Sequence, residues 1–140
     1  MKFEINERLS RGGIHLAEIN SCHILLKNEA TFPWLIVVPE VDSDIEDLHQ
    51  LSAERLDEVM QIVRYTSRFI DASFELEKLN VGCIGNQVRQ MHIHVIGRRV
   101  TDPAWPGVVW GSTFDKKRYT DEVVTKIQNS FMSFMKNEPI

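Results

Sequence analysis

The segment Gln90-Met91-His92-Ile93-His94 gathers the side chains of this chain best suited to chemistry. On a β-strand successive side chains point to opposite faces. Gln90, His92 and His94 therefore share one face, and Met91, Ile93 and Val95 share the other. The apolar face can pack on a helix and fix the strand. The polar face then displays three nitrogen-bearing groups in a row. One histidine on a strand is usually structural; two on one face beside a glutamine, with an apolar face behind them, carry a stronger signal.

Two chemistries suit such a pair. An H-x-H strand can supply two zinc ligands, but a third and a fourth are then needed. Val95, Ile96, Gly97, Arg98 and Arg99 follow His94, so no carboxylate or histidine is close by, and two arginines repel a dication. His15, His23 and His49 lie far off in the chain, and nothing in their spacing completes a site with the pair. The reading adopted is therefore no metal and no cofactor, with a zinc enzyme built on H-x-H as the lesser alternative.

The other chemistry is phosphoryl transfer. A neutral imidazole nitrogen can attack phosphorus, splitting one hard displacement into two easier ones. The second ring nitrogen is then held by an acceptor that fixes the tautomer, and donors hold the non-bridging oxygens. On this reading His92 is the nucleophile, with His94 and Gln90 beside it as donors. Asn86 and Gln87, in the turn before the strand, offer amides to phosphate. Arg98 and Arg99 end the strand pointing oppositely, so one, Arg98, can reach phosphate while the other is solvated. Trp110 can stack on a base; packing in the core explains Trp105 and Trp110 about as well.

These residues need a scaffold, and the pattern around them supplies one. A short helix is expected over Glu4–Arg11, then strands over Ile14–Ile19 and Cys22–Lys27 joined at the turn signal Asn20-Ser21. Trp34–Val38 is an unbroken apolar run, as in a strand buried on both faces. After the acidic stretch Val41–Asp47 a long helix is predicted from Ser52 to Ala72, its stripe being Leu56, Val59, Met60, Val63 and Ile70. Further strands are read at Asn80–Gly85 and Met91–Ile96, with an ordered loop over Asp102–Gly111. A last helix starts near Thr120, with Val124, Ile127, Phe131 and Phe134 on its apolar side. Strands, one long helix, strands and a terminal helix predict a single α+β domain over residues 1–140 with a mostly antiparallel sheet.

The totals narrow the classes. The chain has 140 residues, enough for one domain with a core of its own. Its net charge of −4 argues against a broad nucleic-acid surface. Cys22 and Cys83 match neither a disulfide framework nor a zinc knuckle, which suits a reducing compartment. No secretory signal or membrane span is read, and the expected location is the cytoplasm.

Gln-Met-His-Ile-His-Val-Ile resembles the signature of the histidine-triad superfamily, His-φ-His-φ-His-φ-φ with φ apolar. The apolar strand ending at Pro39, the acidic turn, the long helix, the strand before Gly85-Asn86 and the triad strand follow in that family's order. The stretch DPAWPGVVWG is similar to a Trp- and Pro-containing segment of a bacterial branch that also carries Gln first. The resemblance implies a five-stranded antiparallel sheet with two helices, paired into a homodimer. It implies metal-free cleavage of a phosphoanhydride or phosphoramidate at a nucleoside α-phosphate, with dinucleoside polyphosphates in the substrate range and adenine as the expected base. The nucleophile falls on His92 and the phosphate-contacting third position on His94.

Three departures from that pattern stand out. Gln90 replaces the first histidine, so it can hydrogen-bond but cannot carry a proton charge at neutral pH. Trp34 stands where the family often has a histidine, and is expected to fill space beside Gln90. The nucleoside-binding acid or amide after the second strand falls on Asn28, with Glu29 as the other candidate. The first two changes motivate a second reading, a nucleotide-binding module with little catalysis.

Overall fold

The computed structural model describes residues 2–140. The elements in chain order are α1 (Glu7–Arg11), β1 (Gly13–Ile19), β2 (Cys22–Lys27), β3 (Trp34–Pro39), α2 (Ala53–Ser73), β4 (Lys78–Gly82), β5 (Ile93–Arg98) and α3 (Asp121–Asn137), with one 3-10 turn at Leu48–Gln50. The strands form one sheet in the order β1-β2-β3-β5-β4, and every neighbouring pair is antiparallel. The α+β reading and the five-stranded sheet hold.

β1 and β2 form a tight hairpin. Asn20 and Ser21 both take positive φ, 49° and 55°, the backbone that a two-residue hairpin turn requires. β3 is central and buried throughout, which accounts for its unbroken apolar run. Leu35 and Val37 enter the helix-side core with Ile24, Leu26, Ile93 and Val95. Trp34, Ile36 and Val38 enter a second cluster on the opposite face with Leu25, Phe32 and Ile96. β5 continues this alternation, so the face carrying His94 lies away from α2.

α2 starts on Ser52, whose hydroxyl accepts from the Arg55 amide at 3.1 Å. Its buried face is Val59, Ile62, Val63, Thr66, Phe69 and Ile70. Met60, read as part of the stripe, is 42% exposed: next to Val59 it is turned about 100° away around the helix. α3 packs on α2 through Phe131 and Phe134, which meet the Phe69 ring at 4.8 and 5.6 Å.

Three boundaries move. The first helix begins at Glu7, because the Asn6 side chain caps it by accepting from the Arg8 amide. The last two strands shift away from the turn between them, from Asn80–Gly85 to Lys78–Gly82 and from Met91–Ile96 to Ile93–Arg98. The ten residues between them form a wide connection that turns at Gly85, where φ is 68°. Among the described residues no helix is long and apolar enough to cross a membrane.

Candidate active site

His92 lies just before β5, 5% exposed. Its Nδ1 is 2.7 Å from the Gln90 carbonyl oxygen. A carbonyl can only accept, so Nδ1 carries the proton and Nε2 keeps its lone pair. Burial, with the Lys27 charge nearby, holds the imidazole pKa below its ordinary value; the Gln90 carbonyl pulls the other way. His92 is therefore a neutral ring with its lone pair on the nitrogen remote from the backbone.

His94 is held in the opposite tautomer. The Trp34 indole Nε1–H, which can only donate, meets His94 Nδ1 at 3.0 Å. The His94 proton must then sit on Nε2. Burial, then the neighbouring His92 ring and the Lys27 ammonium, lower its pKa to about 3. The two rings lie edge to face with centroids 4.9 Å apart. One imidazole thus offers an electron pair and its neighbour an N–H.

Trp34 and Trp110 close around His94, with ring centroids 5.6 Å away in both cases. Trp110 reaches this place because Gly82 stands opposite His94 on β4. A Cβ at Gly82 would lie 2.9 Å from the Trp110 ring, closer than side chains tolerate. The Trp110 Nε1–H is buried and has no hydrogen-bond partner among the described residues. An orphaned buried donor is uncommon and calls for an explanation, a ligand atom among them. Trp34 fills the place beside His94, whereas the sequence reading put it beside Gln90.

Lys27, which the sequence reading missed, supplies the positive charge. Its ammonium lies 5.0 Å from the Trp34 ring centroid, on the face of the sheet that carries His94. Its own pKa is lowered by burial and by Lys116, with Glu29 opposing. The signal was available: His23, Leu25 and Lys27 alternate onto one face of β2, but only the strand order brings that face beside the triad.

Other residues singled out from the sequence have different tasks. The Gln90 side chain accepts from the Asn6 amide at 2.7 Å and donates to the Glu4 carbonyl at 2.8 Å. Its amide ties the N-terminal segment to the triad and is not aimed at a phosphate. Arg98, expected at phosphate, is 1% exposed and forks onto Asp102, with contacts of 2.8 and 3.0 Å, and onto Asn80 at 2.7 Å. Arg98 shares the histidine face, but Ile96 intervenes, and the pair anchors the loop that brings Trp110 back to the site. The Asn28 side-chain oxygen accepts from the Tyr119 amide at 2.9 Å, and Glu29 from Thr31 and Lys117, so both hold the segment before α3. Asn86 and Gln87 are exposed in the turn, while Val88 packs on the histidine-face cluster.

Electrostatics decide where an anion fits. A cleft of about 540 Å³ beside Gln90 carries four carboxylates, Glu4, Glu40, Asp42 and Glu46, against Lys2 and Arg89, the latter paired with Glu46, and is unsuited to phosphate. The charged side chain that acts on both His92 and His94 is Lys27, a cation. Among the described residues no third His, Cys, Asp or Glu gathers with the H-x-H pair to hold a metal, and each imidazole has Nδ1 engaged.

Comparison with known proteins agrees with this arrangement. The HIT domain family model matches residues 14–101. A histidine triad protein from Sinorhizobium meliloti 1021 superposes with a TM-score of 0.87 at 34% identity, covering 94% of this chain and 96% of that one. One from Marinobacter aquaeolei VT8 gives 0.88 at 34% identity, covering 96% and 97%. One from Bradyrhizobium japonicum gives 0.86 at 27% identity, covering 93% and 96%. A search of curated proteins finds no match. With the family model spanning more than half of the chain and the triad strand at the heart of the site, the chain belongs to the histidine-triad (HIT) family, whose members bind nucleotides and include hydrolases and transferases.

Proposed function

We propose that the protein is a nucleotide hydrolase or nucleotidyl transferase that cleaves a phosphoanhydride or phosphoramidate at a nucleoside α-phosphate, with dinucleoside polyphosphates as the leading substrate class. The observation that carries this reading is the pair of opposed tautomers: a lone pair on His92 Nε2 beside an N–H on His94 Nε2. His92 attacks the α-phosphorus, and the bond from phosphorus to the leaving oxygen or nitrogen breaks. Water then attacks the nucleotidyl-histidine, releasing the nucleoside monophosphate and restoring the lone pair.

His94 Nε2–H and the Lys27 ammonium hold the non-bridging oxygens as charge develops. Asn86 and Gln87 contact phosphate from the turn, and the unpartnered Trp110 N–H supports a ligand at the same place. Gln90, Arg98 and Asn28 serve by holding the segments that frame the site. Adenine is the expected base. The exposed Val81 on edge strand β4, with Ile84 nearby, supports pairing of two copies into a dimer. The two unbridged cysteines suit a cytoplasmic location.

One observation favours the second reading, a nucleotide-binding module. Both the oxygen and the nitrogen of the Gln90 amide are bonded to the N-terminal segment, to Asn6 and Glu4, which turns the first triad position away from the substrate. Incubation with diadenosine tetraphosphate and with an adenosine phosphoramidate separates the two. The proposal expects adenosine monophosphate from at least one of them, with the rate falling about 10³-fold or more in His92→Asn. Nucleotide binding without turnover of either compound would establish the binding module instead.

A further inference from the structure

Outside the triad, Glu18, His23 and Glu40 converge at the opposite end of the sheet from β4, each offering a ligand atom within 4.8 Å of the others. The fold brings them together from three strands. Glu18 and His23 are direct partners in the β1–β2 hairpin, and Glu40 follows β3, its amide bonded to the Ser21 carbonyl at 2.8 Å. His23 Nε2 is 2.7 Å from Glu40 Oε2 and 3.9 Å from Glu18 Oε1. The Phe3 ring stacks on His23 at 5.5 Å and 5°, holding the imidazole plane in place.

Behind the ring, His23 Nδ1 lies 3.0 Å from His15 Nε2. A histidine that ligates a metal through one nitrogen nearly always gives the N–H of the other to an acceptor, which fixes its tautomer and orientation. His15 stands in that place. Arg55 reaches the same region, but its guanidinium donates to the backbone carbonyls of Asn20, Ser21 and Glu40. Its ion pair is with Glu58, so it bridges neither Glu18 nor Glu40.

We propose that Glu18, His23 and Glu40 form a binding site for a divalent transition-metal cation of the zinc class, with His15 as the acceptor that orients His23. One imidazole and two carboxylates make a borderline donor set of the kind zinc takes. Ligand atoms about 2.0–2.1 Å from a tetrahedral metal lie about 3.3 Å apart. The two His23–carboxylate separations straddle that value and each has to change by about 0.6 Å, while the two carboxylates, within 4.8 Å of each other, close by up to about 1.5 Å. Solvent supplies the remaining position. Two carboxylates and a neutral imidazole balance the charge of the dication. Without metal the other tautomer, Nε2–H donating to Glu40, keeps the same groups satisfied.

The test reads metal directly. The full chain is equilibrated with micromolar zinc and dialysed, and bound zinc is counted by elemental mass spectrometry. Long-range 1H–15N spectra follow the His23 ring nitrogens. The proposal expects one zinc per chain in the wild type and in His92→Asn, with a shift of His23 Nε2. His23→Gln and Glu40→Gln lose the zinc, and His15→Phe weakens binding about 10-fold or more. Near-UV circular dichroism establishes that each variant is folded. Equal zinc in His23→Gln and the wild type would overturn the site. A folded wild type that holds none would leave an imidazole–carboxylate pair and nothing more.

Discussion

The indole N–H of Trp34 points at Nδ1 of His94 at 3.0 Å, and this contact places the His94 proton on Nε2. His94 is too acidic, with a pKa of about 3, to act as a cation near neutral pH. Its usefulness lies in a neutral N–H of fixed direction, and Trp34 provides that direction. A tryptophan thus does by hydrogen bonding what a charged neighbour does in other imidazole clusters.

Trp34→Phe keeps most of the ring and removes the donor. His94 Nδ1 is left buried without a partner, which costs about 1–3 kcal/mol. Long-range 1H–15N spectra should show His94 shifting toward a mixture of tautomers, and kcat should fall more than KM rises. An unchanged tautomer with unchanged kcat would remove Trp34 from the account.

Lys27→Met tests the electrostatics. The Lys27 charge lowers the pKa of both imidazoles, so its removal raises both. Because His92 must be neutral to attack, the acid limb of kcat/KM moves to higher pH. Loss of the cation beside the phosphate should also cost about 10-fold or more in kcat/KM at neutral pH. A pH–rate profile reads both effects together.

Acid should destabilise the fold through His94. Its folded pKa, about 3, lies below the ordinary value of 6.5, so between these the unfolded chain binds more protons. The stability due to neutral His94 is complete above pH 6.5 and is lost as pH falls toward 3. His92, also lowered, adds in the same direction. Urea titrations across this window should give a falling midpoint, with a shallower slope in His94→Gln.

Arg98→Met separates holding a loop from holding a phosphate. Removing one partner of a buried ion pair leaves Asp102 uncompensated and costs about 3–5 kcal/mol. The midpoint of unfolding should drop accordingly. KM for the nucleotide should stay close to that of the wild type, measured at a temperature where the variant is folded.

The segment carrying the histidines, which runs into β5, was legible because period-two alternation is a local property: Met91, Ile93 and Val95 enter the helix-side core as alternation requires. The long helix was legible for the same reason, through Val59, Val63 and Ile70. What could not be read locally was which faces meet. Lys27 lies on β2 and His94 on β5, two strands apart in an order that no local pattern reveals. Arg98 looked like a free guanidinium because Asn80, on another strand, is distant in sequence, and because Asp102 read as a loop residue. Gln90 looked like a substrate ligand because its partners Glu4 and Asn6 lie more than eighty residues away.

The central claim is that His92 Nε2 becomes bonded to phosphorus. The measurement is intact-protein mass spectrometry after brief incubation with diadenosine tetraphosphate, acquired without acid because phosphoramidates are acid-labile, followed by mapping of the modified peptide. The account predicts a nucleoside monophosphate adduct on His92 in the wild type, stronger when the reaction is quenched early, and absent in His92→Asn. An adduct on another residue, or turnover that persists in His92→Asn, would contradict it.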